Sequence, residues 1–110
     1  MSGAPATVLF EAVQHGDEPR VVQALVDSPD LVWAADRDLQ TALHVAAKYD
    51  QDRIAALLVD AGADLEATTS GGMTPLQLAA TMGSTKVRAV LMAVHEKRGR
   101  ASSAPTTTDD

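Results

Sequence analysis

The sequence predicts an all-α fold in which short helix pairs stack as a solenoid. The first observation is an internal repeat, since TALHVAAKYD at residues 41–50 returns as TPLQLAATMG at residues 74–83, a spacing of 33. The second is that each copy contains two segments with apolar residues at helical spacing. The third is composition, because Phe, Trp and Tyr occur once each among 110 residues. A core of Ala, Leu and Val suits closely packed helices better than a large β-sandwich.

A third and more divergent copy precedes these two. Residues 9–13 carry the apolar spacing of residues 43–47 at an offset of 34, and the offset becomes 33 from Arg20 onward. The change reflects one additional residue between Gly16 and Arg20. One helix pair is too small to bury its apolar face, whereas about three stacked pairs suffice. The chain therefore contains enough copies for a small solenoid.

Local sequence predicts where the first helix of each pair begins and which face it buries. The pattern L-x-x-A-[A/V] places its apolar residues on one helical face. Thr41 and Thr74 precede two of these segments, where a hydroxyl can accept from the free N–H groups of the first turn. Pro75 follows at the first helical position, where its missing N–H costs little. The second helices show the same spacing at Val21, Ala24 and Leu25, at Ile54, Leu57 and Leu58, and at Val87, Val90 and Leu91.

Turn-forming residues separate these helices. Between the two helices of each pair lies a residue that tolerates a positive φ. These residues are Gly16, Asp50 and Gly83. Pro29 is predicted to stop the second helix of the first pair, and Gly62 is predicted to be the C-cap of the second helix of the second pair. The connecting segments, residues 28–40 and 61–73, are too short and too polar for a further helix, and we expect β-turn or short hairpin loops there.

These elements define one predicted domain over residues 1–98. Its repeats span about residues 5–35, 36–68 and 69–98, and the outer two are expected to act as caps. Residues 99–110 have no apolar period, which predicts a disordered C-terminal tail.

Composition excludes several classes of protein. The chain has no cysteine, which excludes disulfides, thiolate metal sites and cysteine nucleophiles. The start, MSGAPATVLFEAV, lacks the basic and apolar regions of a signal peptide. The longest strongly apolar runs are IAALLV and AVLMAV, far short of the roughly 20 residues that a membrane span needs. A net charge of −6 argues against general nucleic-acid binding. We expect a soluble cytoplasmic protein that contacts no membrane.

No constellation in the sequence indicates catalysis. His15, His44 and His95 lie on different repeats, and none has a partner at metal-ligand spacing. No nucleophile elbow or phosphate-binding loop is present. The aspartates and glutamates of the loops are interpreted as a solvated acidic surface. We therefore predict a non-enzyme without catalytic residues, metal or cofactor.

The motifs themselves resemble a known family. T-A-L-H-V-A-A, T-P-L-Q-L-A-A and L-L-V-D-A-G-A-D-L, at a period of 33, are similar to ankyrin repeats over roughly residues 5–97. The resemblance implies a curved stack whose loops and first helices line a concave surface that binds other proteins. It also implies that His44 hydrogen-bonds backbone groups of the neighbouring repeat. Departures from the family pattern are Ala42 for Pro, Gln77 for His, Asp50 for Gly, and Leu39 for the turn Gly. Leu39 predicts a strained loop or another turn type.

Carried over to this sequence, the resemblance implies a set of exposed partner-binding positions. They are Ala35, Arg37, Asp38, Gln40, Lys48 and Tyr49 in the second repeat and Thr68, Ser70, Gly71, Met73, Thr81 and Met82 in the third. Gln14 and His15 would extend this surface into the first repeat. Tyr49 and Met82 are expected side by side and, with Leu39 and Met73 nearby, to form an apolar patch. The alternative is that they are isolated exposed side chains.

Trp33 is the only tryptophan and has two interpretations. The adjacent Leu31 and Val32 suggest a local cluster and favour packing between repeats. The other interpretation is a binding anchor, a role in which Trp is enriched.

The predicted function is a non-catalytic module for protein–protein interaction, a monomeric adaptor or regulator. One alternative is a structural subunit of a larger complex. Another is docking of nucleic acid or an acidic partner through the basic residues Lys86, Lys97, Arg98 and Arg100. The simpler interpretation of these bases is a solvated helix end that matches the helix dipole.

Overall fold

The computed structural model describes residues 5–108, with side chains over residues 6–97, and these residues form six α-helices and one 3₁₀ helix. The α-helices are α1 (Pro5–His15), α2 (Glu18–Asp27), α3 (Ala42–Lys48), α4 (Asp52–Asp60), α5 (Pro75–Met82) and α6 (Thr85–Thr108). Within the described part of the chain, extended pairing is limited to one isolated bridge between Ala35 and Thr41. The all-α prediction is confirmed.

The helices pack as three consecutive pairs in two rows. α1 packs on α2, α3 on α4 and α5 on α6, and each pair also contacts the next. The first helices form one row, with α3 between α1 and α5, while α4 lies between α2 and α6 in the second row. This arrangement is the predicted solenoid of helix pairs joined by loops.

One continuous core runs through the three pairs. Leu43, Ala46 and Ala47 of α3 are fully buried, and Leu58 of α4 is buried with them. Ala80 is exposed although it is the equivalent of the buried Ala47. The difference arises because α5 and α6 are the last described pair, so this face of α5 is not covered by a further helix pair of the described chain.

The first helices begin at the predicted threonines. The Thr41 side chain accepts from the backbone N–H of His44, and the Thr74 side chain accepts from that of Gln77. The side chains of His44 and Gln77 in turn accept from the backbone N–H of the threonines, which completes a capping box in both helices. Gln77 therefore performs the same capping as His44, although it departs from the family pattern.

Positive φ angles occur at all three turns between paired helices, as predicted. They are 72° at Gly16, 54° at Asp50 and 74° at Gly83. The Asp50 carboxylate also accepts from the backbone N–H of Val87 at 3.0 Å, in the first turn of α6. A carboxylate is favourable there because it meets the positive end of the helix dipole. This bond across two repeats explains why Asp can stand where Gly would suit the turn.

Gly62 is not itself the cap residue, which corrects the predicted position by one. The C-cap of α4 is Ala61, and Gly62 follows it with a φ of 98°. Gly62 N–H donates to Val59 O, and Ala63 N–H donates to Leu58 O, both at 3.0 Å. This pair of bonds is a Schellman motif, which needs the left-handed residue immediately after the cap.

The loop after α2 contains helical structure that was not predicted from the sequence. Pro29–Trp33 forms a 3₁₀ helix directly after the Ser28 cap. Pro29 ends α2, as predicted, but its fixed φ also suits the first position of the next helical turn. Burial of Val32 in the core holds this turn in place. The expectation that no further helix would form in residues 28–40 was wrong.

The C-terminal boundary of the domain stays a prediction. α6 is described to Thr108 and so runs through most of the predicted tail, residues 99–110. The segment includes Gly99 and Pro105, whose types have the lowest helix propensities. Residues 1–4 of the predicted domain and the last two residues of the tail lie outside the described residues.

Candidate partner-binding surface

Two loops of equal construction project between the helix pairs, and we call residues 35–40 the first finger and residues 68–73 the second. In the first finger, Asp36 N–H donates to Gln40 O at 3.0 Å, and Asp36 Oδ1 accepts from the N–H groups of Asp38 and Gln40 at 2.9 Å. In the second, Thr69 N–H donates to Met73 O at 3.0 Å. The Thr69 hydroxyl accepts from the N–H groups of Gly71 and Met73. Different side chains thus build the same predicted hairpin turn.

The tips of the fingers are joined. Ser70 N–H donates to Asp38 O at 2.8 Å, so the two loops lie side by side. Leu39 has a φ of 63° at the position where the second finger has Gly72 with a φ of 81°. Leu39 was predicted to cause either a strained loop or another turn type. The strained loop is found, because the turn type is kept and the leucine takes the left-handed conformation. An L-residue in this region costs about 1–2 kcal/mol.

His44 connects the base of the fingers to α3. It is fully buried, its Nδ1 accepts from Thr41 N–H at 3.1 Å, and its Nε2 lies 2.9 Å from Met73 O. Because Nδ1 accepts a backbone hydrogen and Met73 O can only accept, the bonds require a neutral ring with its proton on Nε2. His44 thus bonds the neighbouring repeat, as the resemblance implied.

Burial lowers the pKa of His44 from its ordinary value of 6.5. The backbone bonds to Met73 and Ala67 and the charges of Asp36 and Asp64 oppose this shift. Protonation would also place a second hydrogen between Nδ1 and Thr41 N–H. The folded chain therefore favours the neutral ring.

We expect the free energy of unfolding to decrease as the pH is lowered below about 6.5. The decrease should be less steep in a His44→Gln variant. The folded-state pKa of His44 is lowered, so the unfolded chain binds the proton more readily and acid favours unfolding. Above the pKa of His44 in the unfolded chain, the ring is neutral in both states and adds no pH dependence to the free energy of unfolding. Gln77 shows that Gln can form the capping box, and His15 and His95 remain in both proteins. Urea titrations across this pH range measure the difference. Equal pH dependence in the two proteins would contradict a neutral buried His44.

Tyr49 and Met82 occupy matching ends of adjacent helices. Tyr49 is the C-cap of α3 and is 43% exposed, and Met82 ends α5 and is 48% exposed. Because α3 packs on α5, these ends lie along one edge of the first-helix row. Leu39 and Met73 do not join them. They precede the N-termini of α3 and α5, whereas Tyr49 and Met82 lie at the C-terminal ends. The 7 residues of α3 place its two ends about 10 Å apart. The prediction that Leu39 and Met73 belong to one apolar patch with Tyr49 and Met82 is therefore wrong.

The other predicted site residues are divided between the fingers and the first helices. Gln40 and Met73 are partly buried, and the others are exposed. The exposed ones are Ala35, Arg37, Asp38, Lys48, Thr68, Ser70, Gly71 and Thr81. Gln14 and His15 are exposed in the last turn of α1, and His15 ends the helix.

Sequence reasoning missed one part of this surface. An open cleft lies between α1 and the first finger, and α1 contributes Ala6, Thr7 and Phe10 to it. The finger contributes residues 35–38. Phe10 could have been found, because the offsets of the repeat align it with His44 and Gln77. The divergence of the first copy obscured this alignment.

Trp33 has a structural contact and an exposed face. Its indole Nε1 donates to Gly62 O at 2.8 Å, which ties the 3₁₀ helix to the turn after α4. The residue nevertheless remains 58% exposed. This hydrogen bond joins two repeats, but the predicted packing between them is not observed, because most of the side chain is exposed.

The predicted basic C-terminal site is only partly described. Lys86 and Lys97 are exposed, while the side chains of Arg98 and Arg100 lie outside the described residues. His95 Nδ1 lies 3.9 Å from a Glu66 carboxylate oxygen. Over residues 6–97, His, Asp and Glu side chains do not group in a way that could hold a metal ion. No described helix combines the length and hydropathy that crossing a membrane requires.

Comparison with known proteins agrees with this geometry. A family model of ankyrin repeats in three copies matches residues 9–100. The nuclear factor NF-kappa-B p105 subunit of Mus musculus is 46% identical over 93 residues, which cover 84% of this chain and 10% of that protein. Diacylglycerol kinase zeta of Rattus norvegicus is 37% identical over 87 residues, 77% of this chain and 9% of that protein. The chain thus spans a tenth or less of these relatives. It belongs to the ankyrin repeat family, whose repeats are protein–protein interaction modules.

Proposed function

We propose that this chain is a non-catalytic adaptor or regulator in the cytoplasm that holds a partner protein on its fingers and first helices. The observation that carries the proposal is the exposure of Tyr49 and Met82 at matching ends of adjacent helices. Tyr and Met are enriched at protein interfaces, and two such side chains on one edge offer a partner a shared apolar contact. The proposed surface comprises the twelve positions of the second and third repeats predicted from the sequence.

The surface is held before any partner binds. The fingers are joined by the Ser70–Asp38 bond, and His44 fixes Met73 to α3. Little conformational entropy is then lost on association, so more of the contact energy contributes to affinity. This rigidity supports recognition as the mechanism, and the proposal assigns no catalytic residue or cofactor.

We expect a Tyr49→Ala/Met82→Ala variant to lose its partner while keeping its melting curve nearly unchanged. Both side chains are half exposed, so truncation removes interface contacts and little core. The loss of affinity should reach about tenfold or more. The measurement is affinity capture from an extract of cells that express the protein, with mass spectrometry of the bound proteins. The matched control is Val22→Ala/Val26→Ala, which truncates two exposed apolar residues of α2 away from the proposed surface.

The pattern of losses distinguishes the proposal from its alternatives. A partner that survives Tyr49→Ala/Met82→Ala but is lost by the control variant would locate the site on α2 and support a structural subunit of a larger complex. Binding that falls steeply with salt and disappears in Lys86→Ala/Lys97→Ala would support the basic helix instead. Either result would overturn the proposed surface.

A further inference from the structure

Leu39 adopts a backbone conformation that the fold does not require of a leucine. Its φ is 63°, and Gly72 makes the same turn in the second finger with a φ of 81°. Glycine has no Cβ and adopts this conformation without strain. The finger could therefore form with glycine at both positions, and the strain at Leu39 has no evident benefit for folding.

The surrounding bonds maintain this conformation. Asp36 O accepts from Leu39 N–H at 2.9 Å, and the Asp36 carboxylate holds the residues on either side of Leu39. The Ser70–Asp38 bond fixes the tip to the second finger. The Leu39 side chain is 52% exposed, so about half of its surface stays in contact with water. Strain that the surroundings preserve at an exposed residue is typical of functional positions.

The charge around Leu39 indicates what would cover it. Asp38 immediately precedes it and is exposed, and the first finger carries two aspartates against one arginine. Within residues 6–97, ion pairs join Arg20 to Asp17, Arg53 to Glu18 and His95 to Glu66. None of them uses Asp38. With a net charge of −6, the chain as a whole attracts cationic segments.

We propose that Leu39 and Asp38 form a docking point for a partner segment that carries an apolar side chain next to a lysine or arginine. Leu39 contacts the apolar side chain, and the Asp38 carboxylate accepts from the adjacent cation. The Leu39 side chain is about half exposed, so a partner can reach it. This inference rests on the proposed function and adds to it the chemistry of the partner and a role for Leu39, which is not one of the twelve positions of the proposed surface.

The test uses phage-displayed random peptides selected on the wild-type protein. Enriched peptides should pair an apolar residue with Lys or Arg. Their affinity should fall about tenfold or more in both Leu39→Gly and Leu39→Ala, because both variants lack the isopropyl group of the leucine. Asp38→Asn should weaken binding and reduce its dependence on salt. Val26→Ala, which truncates an exposed apolar residue of α2, should bind as the wild type does.

Melting temperature separates strain from binding. Leu39→Gly should melt several degrees above Leu39→Ala, because only alanine keeps the Cβ that is strained at this φ. At a site without strain the order is reversed. An alanine variant that melts with or above the glycine variant would show that Leu39 is not strained and would overturn the inference.

The peptides also distinguish failure of this inference from failure of the proposed function. Peptides that bind Leu39→Ala as tightly as wild type, yet lose affinity for Tyr49→Ala/Met82→Ala, would overturn the role of Leu39 and leave the proposed surface intact. Failure to enrich any peptide, or binding that is insensitive to both sets of variants, would count against both.

Discussion

Replacing Leu58 with alanine is expected to unfold much of the domain, at a cost of about 2–5 kcal/mol. Leu58 is fully buried in α4, which packs against α2, α3 and α6. Truncation removes apolar contacts and leaves a cavity that helices on three sides cannot easily fill. Domains have only about 5–15 kcal/mol of stability, and a domain of this size lies toward the lower end. Thermal unfolding followed by circular dichroism at the helix band measures the loss.

The neighbouring leucine is the control for this prediction. Leu57 lies on the same helix but is only partly buried, so Leu57→Ala removes less buried surface. We expect a smaller fall in melting temperature for that variant. A wild-type melting curve from Leu58→Ala, or a larger loss from Leu57→Ala, would show that the buried face of α4 is assigned incorrectly.

Replacing His44 with alanine is expected to lower the free energy of unfolding by about 2–5 kcal/mol. The imidazole satisfies Thr41 N–H on one side and Met73 O on the other, and it is fully buried. Alanine reaches neither group, so both lose their partner in a region of low water access. The cost is larger than the loss of an ordinary helix cap because the bond to Met73 also joins two repeats. Urea unfolding at neutral pH measures it.

Two variants show whether the hydrogen bonds of His44, or simply the loss of an imidazole ring, account for the lower stability of His44→Ala. His44→Gln should retain part of the stability, because Gln77 already accepts from Thr74 N–H at 3.0 Å in the equivalent position. His95→Ala should cost less than about 1 kcal/mol, since His95 has only a surface pair with Glu66. A His44→Ala protein as stable as His95→Ala would show that the bonds of His44 to Thr41 and Met73 do not stabilise the fold.

Most of the helices could be predicted because their signals are local. Thr41, Thr74 and Pro75 act on the backbone groups of their own first turn, and the apolar spacing repeats within one helix. The 3₁₀ helix could not be predicted in this way. It is held by Val32 in the core, and Trp33 bonds to Gly62, which is 29 residues away. Such contacts are not apparent from a short polar segment.

The sequence predicted which residues the candidate surface contains, but it did not predict which of them lie together. The repeat pattern indicated the fingers and the ends of the first helices, and Tyr49 and Met82 are exposed as expected. Leu39 and Met73 were also expected to join them, because the resemblance places the loops and the first helices on one surface. The length of α3 separates the two groups, and Met73 is held by its bond to His44.

The sequence by itself determined the number of helix pairs, their caps and the residues that form the core. These follow from interactions within a few residues and from the need of each pair to bury one apolar face against its neighbours. Apart from the bond of His44 to the neighbouring repeat, which the resemblance implied, only the tertiary structure decided the bonds between repeats. Asp50 reaches Val87 and Ser70 reaches Asp38, because stacking brings together groups that are far apart in the chain. Each such contact depends on distances and directions in space, which a repeat pattern does not encode.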